Sequence, residues 1–117
     1  MSHKINISQL KKYDINQKII TALADTESRS ILFSITRKGK TATNLSESLK
    51  IPLSSVYKKL SDLEDLALIH VEKYMITDKG RRFKTYRSRI NRAEIIIKKL
   101  EPTLRLYGKW SDEKSVA

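Results

Sequence analysis

Ser54, Ser55, Tyr57, Lys58 and Lys59 crowd into the middle of the stretch TNLSESLKIPLSSVYKKLSDLEDLAL, Thr43 to Leu68. Hydroxyls, a phenol and amines at this density can meet phosphates and base edges. They do not compose a catalytic group. Asp62, Glu64 and Asp65 are carboxylates close in sequence, yet no His, Ser or Cys constellation stands beside them to use them, so a solvated helix surface explains them better. A second cluster, Lys79, Arg81, Arg82 and Lys84, suits neutralisation of phosphate. The histidines are His3 and His70; His70 lies between Ile69 and Val71 in an expected strand and reads as an exposed or partly satisfied strand residue, not a metal ligand or pH switch. Cysteine is absent, which removes disulfides, thiolate metal sites and thiol redox chemistry. No metal and no cofactor are expected.

The elements that must position these side chains follow from periodicity. Ala42, Leu45 and Leu49 give a first short helix one apolar stripe, with Thr43 and Asn44 at its start, and Ile51 plugs the turn that follows. Pro52 suits the opening of a second helix, where its missing N–H costs nothing. Across that helix, Pro52 to Asp65, Leu53, Val56, Leu60 and Leu63 recur within about 80° of arc at about 100° per residue. They predict one narrow core seam, with Ser54, Ser55, Lys58, Ser61 and Asp62 opposite and Tyr57 and Lys59 on the flanks. An ordinary helical hairpin with a solvated outer face would show the same pattern, so context decides. The next segment, LIHVEKYMITDKGRRFKTYRSRI, sets an apolar, β-branched run before Asp78-Lys79-Gly80 and a basic run after it. Gly80 can take positive φ and Asp78 can bond nearby backbone, so a hairpin turn is expected there. Helix, turn, helix and basic hairpin is the order of a winged helix-turn-helix.

At 117 residues the chain is one domain with one modest core, too short for a catalytic domain with its own substrate cleft. Its formal charge of +11 implies a polyanionic partner. Nucleic acid is favoured over acidic protein or anionic lipid because the charge is concentrated: Lys79, Arg81, Arg82, Lys84, Arg87, Arg89 and Arg92 stand against the single acid Asp78 between residues 78 and 92. No apolar run approaches the roughly 18 residues of a spanning helix, and Met1 to Leu10 lacks a signal-peptide core. No membrane partner and a cytoplasmic location are expected.

Residues 1–13 read as a basic, partly ordered arm. From Asp14, Ile15, Ile19, Ile20 and Leu23 form one helical stripe, with Asp14 or Asn16 as cap and an end at Ala24. Asp25 looks like a second N-cap, and Ile31, Leu32 and Ile35 point inward from the helix that follows. Arg37, Lys38, Gly39 and Lys40 should close it, cations in the last turn and a glycine just after. Residues 14–92 would make the winged domain. Beyond it the pattern divides. Ala93, Ile96, Ile97, Leu100 and Leu104 suit a helical stripe, whereas Ile95-Ile96-Ile97 is a β-branched run, and Leu104 and Leu106 would line one face of a return strand. Residues 109–117 read as a frayed tail, against which Trp110 is free to pack.

LADTESRSIL, Leu23 to Leu32, resembles the Leu-Ala-Asp-x-x-x-Arg-x-Ile-Leu opening of arsenic-repressor-like (ArsR-type) winged-helix regulators. IPLSSVYKKLSDLEDLALI resembles their recognition helix and its exit, and DKGRRFKTYRSRINRAEI is similar to the tail of small archaeal members, in which a further strand pair follows the wing. The resemblance spans about Ala22 to Tyr107. It implies a mainly α fold with a β wing (α+β), double-stranded DNA as partner, and a C-terminal β-hairpin over 93–108 that offers a homodimer seam. Metal sensors of that family use cysteines or clustered histidines, which this chain lacks.

Two functions follow. The first is a sequence-dependent transcriptional regulator: the helix over 52–65 enters the major groove, Thr43 and Asn44 brace the backbone, Ser54, Ser55, Tyr57, Lys58 and Lys59 face the DNA, and Lys79, Arg81, Arg82 and Lys84 neutralise phosphate. The second is an architectural or protein-interaction module that binds DNA without sequence preference. It is favoured by the lack of Arg, Asn or Gln on the outer face of the second helix.

Overall fold

The computed structural model describes residues 7–108, with side chains from Asp14 onward; the expectations for the outermost arm, the tail and Trp110 lie outside the described residues. Four helices come first: α1 (Ile7–Ala24), α2 (Thr26–Ser34), α3 (Ala42–Leu49) and α4 (Leu53–Asp65). Strands β1 (Ile69–Ile76), β2 (Arg82–Ser88), β3 (Ile90–Ile96) and β4 (Thr103–Gly108) follow.

Helix α1 begins at Ile7, well before Asp14, so Asp14 and Asn16 lie inside a helix and cap nothing. Leu, Lys and Gln between residues 9 and 12 are good helix formers, and no Gly or Pro interrupts them. Asp14 instead pairs with Lys18 one turn on, at 3.2 Å. Ile19 and Leu23 are buried, but Ile15, expected on the same stripe, is 50% exposed.

The segment Leu23 to Leu32 has a local physical explanation. Leu23 is buried; Asp25 accepts a bond from the Ser28 backbone N–H at 2.9 Å and caps α2; Arg29 turns back to donate to the Leu23 carbonyl at 2.7 Å. One acid and one base thus satisfy groups orphaned on either side of the α1–α2 corner. Ile31, Leu32 and Ile35 are fully enclosed. The expected close of α2 is corrected: the helix stops at Ser34, and Gly39 is not a left-handed cap. Its chain instead runs along β2, where Lys40 and Tyr86 exchange backbone hydrogen bonds. A Cβ at Gly39 would displace the end of the Glu72 side chain and press on the Tyr86 carbonyl, so glycine suits the close approach there.

Helices α3 and α4 meet through a turn at Lys50, which takes the left-handed conformation (φ 59). Ile51 donates its N–H to the Ser46 carbonyl, while the Ser46 hydroxyl donates back to the Ile51 carbonyl at 2.6 Å, and the Ile51 side chain is buried as expected. Thr41 caps α3 by accepting from the Asn44 N–H at 3.1 Å. On α4 the seam holds at Val56, Leu60 and Leu63, which join Leu45, Leu68 and Ile69 in the core. Leu53 is the exception, 41% exposed at the first residue of the helix.

Strands β1 and β2 form an antiparallel hairpin closed by Gly80 at φ 78. The turn is held by Thr77, whose backbone N–H donates to Arg81 and whose hydroxyl accepts from the Arg81 N–H; Asp78 leads the turn but does not supply these bonds. Strands β3 and β4 form a second antiparallel pair, so the segment after residue 90 is a hairpin and not a helix. Ala93 and Leu104 touch the core from one of its faces, and Ile95 and Leu106 continue that face into solvent.

Candidate nucleic-acid interface

The amphipathic split of α4 decides which side chains are available. With Val56, Leu60 and Leu63 inward, Ser54, Tyr57, Lys58, Ser61 and Asp62 are exposed and Ser55 is half-buried. Thr43 and Asn44 are exposed on the first turn of α3, the helix packed against α4. At the far end of the first hairpin Lys79, Arg81, Arg82 and Lys84 are exposed on the turn and on β2.

Lys59 departs from the rest. Its amine lies 2.9 Å from the Asp25 carboxylate, and its side chain is half-buried between α2 and α4. That hydrogen bond, with those from Ser28, holds the Asp25 carboxyl down at about 2, and the same contact pushes the Lys59 amine up. Asp25 therefore caps α2 and ties it to α4 at once, a link between residues too distant in sequence for periodicity to reveal. Lys58 makes a looser contact with Asp62 at 3.8 Å, both side chains largely in solvent, which leaves the amine free to exchange partners.

A bulge in β1 sets the direction of the hairpin. Val71 pairs with Tyr86 and Lys73 with Thr85, so Glu72 is an extra residue on its strand. Without it, strict alternation would send Tyr74 to the opposite face; with it, Tyr74 and Ile76 follow Val71 onto the side that carries Tyr86, Lys84 and Arg82. Glu72 itself accepts from Arg87 at 2.7 Å, and the guanidinium lowers its carboxyl below the ordinary range; Arg87 also donates to the Thr36 carbonyl. Burial pushes the Tyr86 phenol up, and Glu64 and Tyr57 of α4 and Tyr74 of β1 add to the effect. Lys84 stands 5.8 Å from the centre of the Tyr74 ring.

No family model and no curated protein matches the chain in sequence. In structure the chain is similar to NolR from Sinorhizobium fredii, known from a crystal structure. The likeness covers 74% of this chain and 81% of that one, with a TM-score of 0.56 at 16% identity. The fold is a winged helix-turn-helix.

In that fold α3 and α4 are the helix-turn-helix pair, β1 and β2 are the wing, and β3 and β4 are the strand pair that follows it. The winged helix brings Thr43, Asn44, Ser54, Ser55, Tyr57, Lys58, Lys79, Arg81, Arg82 and Lys84 to the solvent side of α3, α4 and the wing, while Lys59 is turned toward α2. Sequence reasoning passed over Tyr74 and Ile76 of the wing, because they read as ordinary strand apolars; only the bulge reveals which face they take. His70 is half-buried, its Nδ1 without a hydrogen-bond partner. Among the described residues no group of three or more His, Cys, Asp or Glu gathers as a metal site, and no helix is long and apolar enough to cross a membrane.

Proposed function

We propose that the protein is a DNA-binding transcription regulator of winged-helix type, working as a homodimer. The observation that carries this reading is the division of α4. One side is buried to the last residue of Val56, Leu60 and Leu63, and the other presents hydroxyls, a phenol and the Lys58 amine beside a wing whose turn and return strand bear Lys79, Arg81, Arg82 and Lys84. In this reading α4 lies in the major groove, Thr43 and Asn44 support it on the backbone, and the wing cations supply most of the affinity through phosphate. Lys59 keeps α4 in place through Asp25 and makes no DNA contact of its own. The ArsR-type affiliation and its archaeal branch belong to the same proposal, as does a cytoplasmic location.

The β3–β4 hairpin is the dimer element in this proposal. A lone two-stranded ribbon is marginal in water, and this one leaves Ile95 and Leu106 partly open along the face that Ala93 and Leu104 seat on the core, with Ile97 and Leu100 open in the connection. A second copy burying the same face would satisfy both hairpins.

A second reading, DNA coating without sequence preference, draws on the composition of α4, whose outer face holds no Arg, Asn or Gln to grip a base edge in two places. Binding of the full chain to genomic fragments in competition with random DNA, followed by footprinting, separates the two. Protected sites at discrete promoters support the regulator; uniform coverage supports coating; no binding to either DNA refutes both.

A further inference from the structure

The wing carries apolar bulk that phosphate neutralisation does not use. Tyr74 is 75% and Ile76 is 68% exposed, near the end of β1. Their cross-strand partners are Lys84 and Arg82, so ring, ammonium, aliphatic branch and guanidinium share one face and alternate across it. That face begins on the core at Val71 and Tyr86 and runs outward along the hairpin.

Solvent does not favour two large apolar side chains at a strand end, and the cations interleaved with them, with Lys79 and Arg81 exposed at the adjoining turn, fit a polyanionic partner. Alternating cations and apolar side chains on a narrow ribbon match the minor groove of double-stranded DNA, where the cations meet phosphates on the rims and an apolar side chain can wedge between base pairs.

We propose that the wing is a deforming wedge. Ile76 enters the minor groove and partly unstacks a base step, Tyr74 covers the opened edge, and Arg82 and Lys84 hold the flanking phosphates. Sequence preference then arises in part from how easily a step opens, which compensates for the poor base-reading set on α4, because pyrimidine–purine steps deform at least cost. The inference rests on the DNA-binding reading and adds a consequence that reading does not require: bound DNA is bent.

The test uses the full chain and short duplexes labelled at both ends for energy transfer, with Ile76→Thr as the variant. Threonine keeps the β-branch that suits the strand but removes apolar reach, and at so exposed a position the variant should fold, which a melting curve checks. The wild type should shorten the end-to-end distance and prefer a duplex with one central mismatch, already unstacked, by about tenfold over the matched duplex, as expected when a cost of a few kcal/mol is partly removed. Ile76→Thr should bind matched DNA with little bending and lose the mismatch preference. Binding by the wild type without bending, or equal bending by both proteins, overturns the wedge and leaves the DNA-binding reading standing. Failure to bind any duplex overturns both. A variant that bends DNA normally but changes oligomeric state would assign this face to a second copy of the chain and overturn the wedge.

Discussion

Asp25→Ala should be far more damaging than its half-exposed position implies. The substitution removes the N-cap bond to Ser28 and the ion pair to Lys59 together. Loss of a cap costs about 1 kcal/mol, and a pair whose carboxylate side chain is 40% exposed adds about 0.2–1 kcal/mol after screening. The sum, roughly 1–2 kcal/mol, corresponds to a melting temperature lower by about 4–16 °C at about 4–8 °C per kcal/mol for a domain of this size. Asp25→Asn separates the parts, because asparagine caps as well as aspartate but cannot pair with an ammonium; it should lose only the smaller share. The pH dependence gives a further check. The folded carboxyl sits at about 2 against an ordinary 3.8. A depressed folded value means the stabilisation is complete above about pH 4 and is lost as pH falls toward 2. Urea midpoints measured at intervals from pH 7 to pH 2 should therefore show the gap between wild type and Asp25→Asn closing over that window. A gap that stays constant, or an Asp25→Ala protein as stable as wild type, would refute the reasoning.

Other outcomes follow from the same geometry. Leu60→Ala should cost about 2–5 kcal/mol by thermal denaturation, whereas Ser61→Ala, its exposed neighbour, should change stability by less than about 0.5 kcal/mol; equal melting points would mean that the phase of α4 is misplaced. Gly39→Ala should push the Glu72 carboxylate aside and press on the Tyr86 carbonyl, so its melting point should fall slightly, and Glu72→Ala in the same chain should recover part of that loss. Lys58→Ala should weaken binding at a preferred site by about 1–3 kcal/mol if the amine bonds a guanine edge, with little change on random DNA; equal losses on both, measured by competition, would confine Lys58 to phosphate.

The helix-turn-helix and the wing were legible because each is written in a local signal. Val56, Leu60 and Leu63 keep helical phase, and Asp78 to Gly80 spells a turn. The failures are places where the deciding contact is remote or the local signal is shared by two structures. Gly39 after Arg37 and Lys38 looks like a helix end, but its reason is Glu72 and Tyr86, which approach it only in the folded chain. Lys59 looks like any flank lysine until Asp25 is beside it. The early start of α1 left no trace, since residues that favour helix without an apolar stripe resemble a solvated arm, and the stripe that could be seen placed Ile15 inward where it is 50% exposed. The β3–β4 segment offered both periods at once, and its β-branched run prevailed in a strand. For the interface, the cations were visible from composition, whereas Tyr74 and Ile76 depend on a one-residue bulge that alternation cannot reveal.

The central claim, that this winged helix grips DNA through its wing cations, is tested most directly by the salt dependence of binding. Anisotropy of a labelled duplex titrated with wild type and with the Arg81→Ala, Arg82→Ala double variant, across a series of salt concentrations, gives the slope of log K against log salt for each. At about 0.9 per phosphate contact, the double variant should flatten the slope by nearly two units and weaken binding to all sequences alike. An unchanged slope would place both arginines off the DNA and contradict the account.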